Sequence, residues 1–254
     1  MKAWFVILTV CLLSFDAVAK DQNLSGNRLG FAASSAVVPV MANLEGLNGA
    51  VFQTQVSIFN PTAFNYSVQV TLYGPDGMVG SRTLTMSPGQ IRNYSNFLQD
   101  VFAYAGAGAV RFDSRTPDGG SADFQFVLNS EVYWDTANGS YGTSVPALFH
   151  DASSFEAYSV GVKVSSAART NIGCFNDSDQ ANAVEASVFD ASGQLVDTVS
   201  MTVAPHSWKQ MRLTASVNGG HIRWRLSAPA YCYAVVVDNR TNDGNFIPAA
   251  EFVP

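Results

Sequence analysis

Three histidines, His150, His206 and His221, are the first candidates for acid–base or metal chemistry. A zinc site needs several His, Cys or carboxylate groups converging on one atom, and a catalytic His needs an orienting partner. None of the three has a second His or a Cys at ligand spacing, and neither H-E-x-x-H nor a G-x-S-x-G elbow occurs. They read as turn and strand-end residues. The acidic clusters are Asp113, Asp118 and Asp123 in D-S-R-T-P-D-G-G-S-A-D, and Asp177 and Asp179 in N-D-S-D. Calcium takes several converging oxygens, but neither stretch has the glycine and closing Glu of a helix-flanked calcium loop. These acids therefore read as solvated hairpin turns, and no catalytic residue, metal ligand or cofactor is assigned.

The aromatic residues offer more. Tyr133, Trp134 and Tyr141 fall in E-V-Y-W-D-T-A-N-G-S-Y-G, which reads as a long loop beside Asp135 and Asn138. They are the candidate ligand-binding residues: rings so placed can stack a sugar or grip a protein partner. The competing reading folds them over a domain junction. Trp208 and Trp224 read as strand packing residues.

What must position these groups is a repeat. T-Q-V-S-I-F-N-P-T-A-F-N-Y-S-V-Q-V-T-L-Y-G-P-D-G begins at Thr54, and T-N-I-G-C-F-N-D-S-D-Q-A-N-A-V-E-A-S-V-F-D-A-S-G begins at Thr170. They run in step without a gap. Further blocks follow in the same order. A-G-A-V-R-F answers G-G-H-I-R-W, F-Q-F-V-L-N-S from Phe124 answers C-Y-A-V-V-V-D from Cys232, and G-T-S-V-P-A answers G-N-F-I-P-A. Within each copy polar and apolar residues alternate, as in Gln55-Val56-Ser57-Ile58 and Val184-Glu185-Ala186-Ser187. That is the period of a half-buried strand. Asn-Pro, Pro-Asp-Gly and Ala-Ser-Gly supply the turns between runs. The expected fold is all-β: two tandem antiparallel β-sandwiches, with one short helical turn near Phe97 to Tyr104. Each copy is expected to close its own core. The alternative exchanges the V-P-A strand that ends each copy between neighbours.

The chain opens Met1-Lys2, then an apolar run over residues 3–13 and Ala17-Val18-Ala19. One basic residue, a short apolar core and an A-x-A site predict a cleaved secretory signal over residues 1–19. Residues 20–30 are expected to be a flexible segment, with domains at 31–148 and 149–254. The expected location is exported: periplasmic, cell-surface or extracellular. The apolar run over residues 3–13 is too short to span a bilayer as a helix, which needs roughly 20 residues. The formal charge is −6, hydrophobic residues make up 47% and charged residues 13%. This composition argues for a packed core and against disorder. Without any Lys/Arg run, nucleic acid is not an expected partner; a protein or a glycan is.

The pieces T-x-V-x-I-x-N-P, Y-x-P-D-G, G-A-V-R and Y-G-x-x-V-P-A resemble the immunoglobulin-like modules repeated in bacterial exported proteins. The resemblance covers nearly all of the mature chain and rests on turn and core elements, so it implies a scaffold and not an activity. It also bears on Cys174 and Cys232, which stand where the first copy has Ile58 and Phe124. In an immunoglobulin-like sandwich those strands lie in opposite sheets, so the resemblance implies a disulfide across the core. Two buried free thiols are the rival reading. The function expected is a non-enzymatic exported binding or structural protein; the alternatives are a carbohydrate-binding or adhesive protein using loop aromatics, and a secreted hydrolase.

Overall fold

A computed structural model describes residues 33–120, 123–137, 139–148 and 154–251. The expected signal sequence over residues 1–19, the segment 20–30, His150 and most of the link between the copies lie outside the described residues, as does Asn138. The first half contains β1 (Ser35–Glu45), β2 (Val51–Phe59), β3 (Tyr66–Gly74), β4 (Gly77–Met86), β5 (Ile91–Tyr94), α1 (Phe97–Phe102), β6 (Gly106–Arg115), β7 (Val127–Thr136) and β8 (Gly139–Ser144). The second contains β9 (Ser154–Val164), β10 (Ala168–Asn176), β11 (Asn182–Phe189), β12 (Leu195–Val203), β13 (Ser207–Arg212), β14 (Val217–Asp238), β15 (Gly244–Pro248) and β16 (Ala250–Glu251).

The fold is all-β and antiparallel. Strands of the first half run in the order β4-β3-β6-β1-β2-β7-β8, with β5 added on β2. Strand β1 makes the turn between layers: Ser35 to Asn43 lie along β6, while Leu44 and Glu45 pair with β2. In the second half the order is β12-β11-β14-β10-β13, with β9 and β15 also on β14. Here one 22-residue strand does the work of β6 and β7. The early part of β14 pairs with β9 and β11; from Tyr231 onward it pairs with β10 and β15. The closing segments stay at home: V-P-A follows β8, with the Val145 amide donating to the Ser130 carbonyl of β7, and Ile247-Pro248 ends β15 on β14.

The repeat reappears as hydrogen bonds. Thr54 and Thr170 are both fully buried. Thr54 Oγ1 donates to the Ala42 carbonyl at 3.0 Å and accepts from the Ala42 amide at 2.7 Å. Thr170 Oγ1 does the same with the Lys163 carbonyl and amide, at 2.6 and 3.2 Å. Each threonine thus supplies the bonds that a bulged neighbouring strand leaves unmade. Asn60 and Asn176, also fully buried, each hold the turn after their strand: the Oδ1 atoms accept from Thr62 and Ser178, and the Nδ2 atoms donate to backbone carbonyls. Gly77 and Gly193 close the same hairpin at φ 110° and 82°, a region where a side chain would be strained.

Inward residues match the alternation. In the second half Ile172, Val184, Ala186, Val188, Ile222 and Trp224 form one buried cluster around Cys174 and Cys232. The indole Nε1 of Trp224 donates to Ser159 Oγ at 3.0 Å, which lets this large ring sit fully buried. The expected short turn is α1, capped by Asn96 Oδ1, which accepts from the Gln99 amide.

Cys174 and Cys232 form a disulfide, with a geometry that corrects the expectation. They are register partners on adjacent strands β10 and β14 of one sheet, with Cα atoms 4.1 Å apart, and do not bridge opposite sheets. In the first half Ile58 accordingly faces Leu128 on β7, four residues beyond Phe124. The bond closes a separation of 58 residues. The chain-entropy relation gives about 4 kcal/mol for such a loop. The Cys174→Ala, Cys232→Ala double variant should keep its native circular dichroism and lose roughly 2–4 kcal/mol in denaturant unfolding. Alkylation of the unreduced, unfolded protein should label neither thiol; labelling of both would contradict the bond.

Candidate ligand cleft between the halves

The strands β13, β10, β14 and β15 form a sheet whose even-numbered β10 residues face the second-half core. Its other face carries Arg169, Asn171, Gly173 and Phe175 on β10, which pair across the sheet with Val237, Val235, Tyr233 and Tyr231 on β14. At the equivalent positions the first copy has Gln53, Gln55, Ser57 and Phe59 on β2, and Asn129, Glu131 and Tyr133 on β7. That face of the first copy is polar, with Gln55 hydrogen-bonded to Glu131 at the surface. The second copy has made it apolar at one end. Phe175, Tyr233, Tyr231, Trp208 and Phe246 are 0–9% exposed and belong to the same buried cluster as the first-half core.

This docked surface welds the halves. Tyr73 of β3 packs on Phe175 with ring centres 4.9 Å apart, and Phe175 stacks on Tyr231. Tyr233 lies across Gly173, where any β-carbon would collide with the phenol ring. Its hydroxyl accepts from Trp208 Nε1 at 3.0 Å and donates to Gln210 Oε1 at 2.9 Å. Burial pushes the Tyr233 pKa well above the usual phenol value.

Further along the same face the apolar contact ends and a cleft of about 350 Å3 opens. Its first-half wall is apolar, built by Val40, Ala42, Leu44, Phe52, Ala107 and Val132. The facing wall is mixed: Arg169, Asn171, Gln210 and Arg212 stand there beside Val235 and Val237. Arg169 is 5% exposed. Its Nη1 donates to Asn239 Oδ1 at 3.1 Å and its Nη2 to Asn242 Oδ1 at 2.8 Å. Asn242 in turn donates to the Leu47 carbonyl at 3.0 Å, tying this turn to the first half. Burial, and then repulsion from Arg212, lower the pKa of Arg169 against the opposing attraction of Asp238, yet a guanidinium stays charged in a protein. Among the described residues neither Arg169 nor Arg212 has a carboxylate within 4.0 Å.

The residues singled out from sequence lie around this junction. The stretch read as a long loop is the hairpin of β7 and β8, because Tyr133–Gly142 and Trp134–Tyr141 are cross-strand partners. Trp134 stacks on Tyr141 at 6.0 Å and donates from Nε1 to the Thr241 carbonyl of the second half at 3.1 Å. Tyr133 points to the other face and donates to the Ser95 carbonyl. All three rings are half-buried. Asp113 and Asp177 are not solvated turn residues. Both accept from Arg111, Asp177 across the junction at 2.8 Å, and their side chains are only 14% and 13% exposed. His206 meets Asp179 at 2.7 Å. Asp118 is in an exposed turn held by Thr116, and Asp123 is exposed apart from it. His221 stacks on Phe189 at 4.8 Å. No group of three His, Cys, Asp or Glu among the described residues is placed to hold a metal.

Sequence reading missed Arg169 and Arg212. The available signal was Y-C-Y-A-V-V-V, whose unbroken apolar run implies a strand covered on both faces. Its counterpart V-L-N-S-E-V-Y alternates.

No family model matches the chain, and no curated protein matches it. Among solved structures it is similar to a calcium-binding mutant of Bacteroides uniformis beta-glucuronidase 2, at 14% identity and a TM-score of 0.14. The match covers 76% of this chain and 24% of that one.

Desolvation raises the pKa of Tyr66 to about 12 and raises those of Tyr73 and Tyr233 as well. In the unfolded chain a tyrosine ionises near 10. The neutral phenols therefore stabilise the fold fully below about pH 10, and that contribution is lost as pH rises through the folded values. Denaturant midpoints should be flat from pH 8 to about 9.5 and fall steeply above about 10.5. The fall should be shallower in Tyr66→Phe; an unchanged slope would show that Tyr66 is not a main contributor.

Proposed function

We propose that this is an exported, non-enzymatic binding protein, built of two immunoglobulin-like modules spanning residues 31–148 and 149–254, whose ligand occupies the cleft between them. The observation that carries this reading is the cleft itself. It is within the size range of small-molecule sites and mostly apolar, with the polar side chains Arg169, Asn171, Gln210 and Arg212 gathered on one wall. The weld beside it, from Phe175 to Tyr233, keeps both walls in place before a ligand arrives. The groups that could have served catalysis are engaged in structural contacts: His206 with Asp179, His221 on Phe189, and Asp113 and Asp177 on Arg111. Trp134 and Tyr141 contribute to the hairpin beside the cleft, and the Trp134 indole is committed to Thr241. This favours small-molecule binding over a sugar-stacking surface.

Export is supported by the disulfide, which persists in oxidising compartments, and by the residues 1–19 pattern. N-terminal sequencing of the protein recovered from outside the cytoplasm should begin at or near Lys20. A retained Met1 would contradict the signal reading.

The binding reading is tested by thermal unfolding of the mature chain against a chemically varied panel of small molecules. At least one class should raise the melting temperature in a concentration-dependent way, as linkage requires. Ala107→Phe, which fills the cleft from its apolar wall, should abolish that rise. A panel without any stabiliser, or stabilisation unaffected by Ala107→Phe, would overturn the reading.

A further inference from the structure

We infer that the cleft takes an amphipathic monoanion: a carboxylate carried on a short aliphatic or aromatic body. This rests on the cleft being a binding site and adds the chemistry of its occupant. Three observations converge. Arg169 is a buried cation satisfied by amide oxygens alone, Asn239 Oδ1 and Asn242 Oδ1. Neutral acceptors leave its charge without a contacting counter-ion, Asp238 acting on it only from beyond ion-pair distance, and a buried charge so placed is costly. Arg212 lines the same wall at its exposed edge, so a buried and an exposed cation share one side of the cleft. Like charges brought together in a partly desolvated site repel, and one anion relieves both. No carboxylate of the described residues lies within ion-pair distance of either; Asp238, which attracts Arg169 from farther off, accepts instead from the Arg240 and Thr241 amides.

The opposite wall sets the rest of the ligand. Val40, Ala42, Phe52 and Val132 offer no charged group to a second anionic end, so a dianion spanning the cleft would bury one charge against hydrocarbon. A free inorganic anion would meet the arginines and leave the apolar wall in contact with water. A carboxylate with a hydrocarbon body satisfies both walls. Asn171 and Gln210 beside the arginines provide further amide donors for the head. The volume of about 350 Å3 is at the small end of ligand sites and excludes long-chain lipids held in full.

The divergence between the copies supports a selected feature. The first copy has Gln53 at the position of Arg169 and Gln55 at that of Asn171, on a face that stays at the surface. The change to arginine coincides with the docking that buries the site. On an exposed strand the same arginine would be ordinary.

Calorimetric titration of the mature chain with octanoate, 1-octanol and inorganic phosphate separates head from body. Octanoate should bind saturably with one ligand per chain, and octanol and phosphate should each be weaker by about tenfold or more. Arg169→Gln removes a buried contact between segments and can fail to fold, so Arg212→Gln is the working variant. Arg212 is exposed at the cleft, and because it repels Arg169 its replacement should not lower the melting temperature of the free protein. Octanoate affinity should fall about tenfold in Arg212→Gln, with most of it retained in Arg212→Lys. Octanol binding as tightly as octanoate, or octanoate unaffected by Arg212→Gln, would overturn the anionic head. Phosphate binding as tightly as octanoate would overturn the hydrocarbon body. Octanoate failing while another ligand is displaced by Ala107→Phe would overturn this inference and leave the binding role standing.

Discussion

Everything at the junction depends on one face of one sheet being apolar where its counterpart is polar. Phe175, Trp208, Tyr231, Tyr233 and Phe246 would be a large hydrophobic patch if the second half stood alone. Burying side chains of this size stabilises by roughly 1.5–3 kcal/mol each, before ordering costs. Because the halves belong to one chain, much of the translational entropy lost on association is already absent from the comparison. The patch therefore docks, and its polar tips must find partners in the same step. Tyr233, Trp208 and Gln210 satisfy one another, and Gly173 leaves room for the ring that makes this possible. The ion pair from Arg111 to Asp177 then falls at the margin of the patch, where a charged contact is best tolerated.

The cleft follows from the same face. Along β10 the outward residues change from Phe175 through Gly173 to Asn171 and Arg169, so contact gives way to a polar wall within one strand. Opposite it stand the ends of β1, β6 and β7, whose residues face inward in the first half and meet no close-packed partner at this level. The turn after β14 closes the far side through Asn242 and Leu47. A cavity walled by two units and fixed on two sides is preorganised, which is what lets a small ligand bind without ordering the protein first. It is also a place where a charge can be held out of water at a cost the weld has already met.

Much of this was legible in the residues. Alternation identified the strands, Pro-Asp-Gly and Ala-Ser-Gly their hairpins, and the in-step repeat the equivalence of Thr54 with Thr170 and Asn60 with Asn176. What alternation cannot give is the neighbour. It fixes which face a residue takes, and both cysteines do face the second-half core, but the sheet order decides whether they meet across it or beside one another. The same limit applies to Tyr133, Trp134 and Tyr141. Asp135 to Gly139 looked like the middle of a loop because its residues favour turns, while the strands on either side are short and carry mixed faces. The arginines were hidden for another reason: a single Arg on a polar strand face has no distinctive sequence environment. Its setting is made by the other half of the chain, from Val40 to Val132, and long-range burial leaves no local pattern.

The two copies also show how such a site can arise without new architecture. The inward residues are constrained by the core, so Val56 and Ile172, or Val70 and Ala186, change little in character. Outward residues are constrained only by solubility until something covers them. Replacing Asn129 and Glu131 with the equivalents Tyr233 and Val235 costs little in folding a single unit, but it creates a surface that must be covered. Once it is covered by the neighbouring copy, the outward positions at its edge, Arg169 among them, are no longer surface residues. Their charge is then held in a partly desolvated cleft, where it would select the proposed ligand; in water the same charge would select almost nothing. The specificity proposed for the cleft is therefore a property of the docking and not of either unit, and it should vanish whenever the two faces are separated.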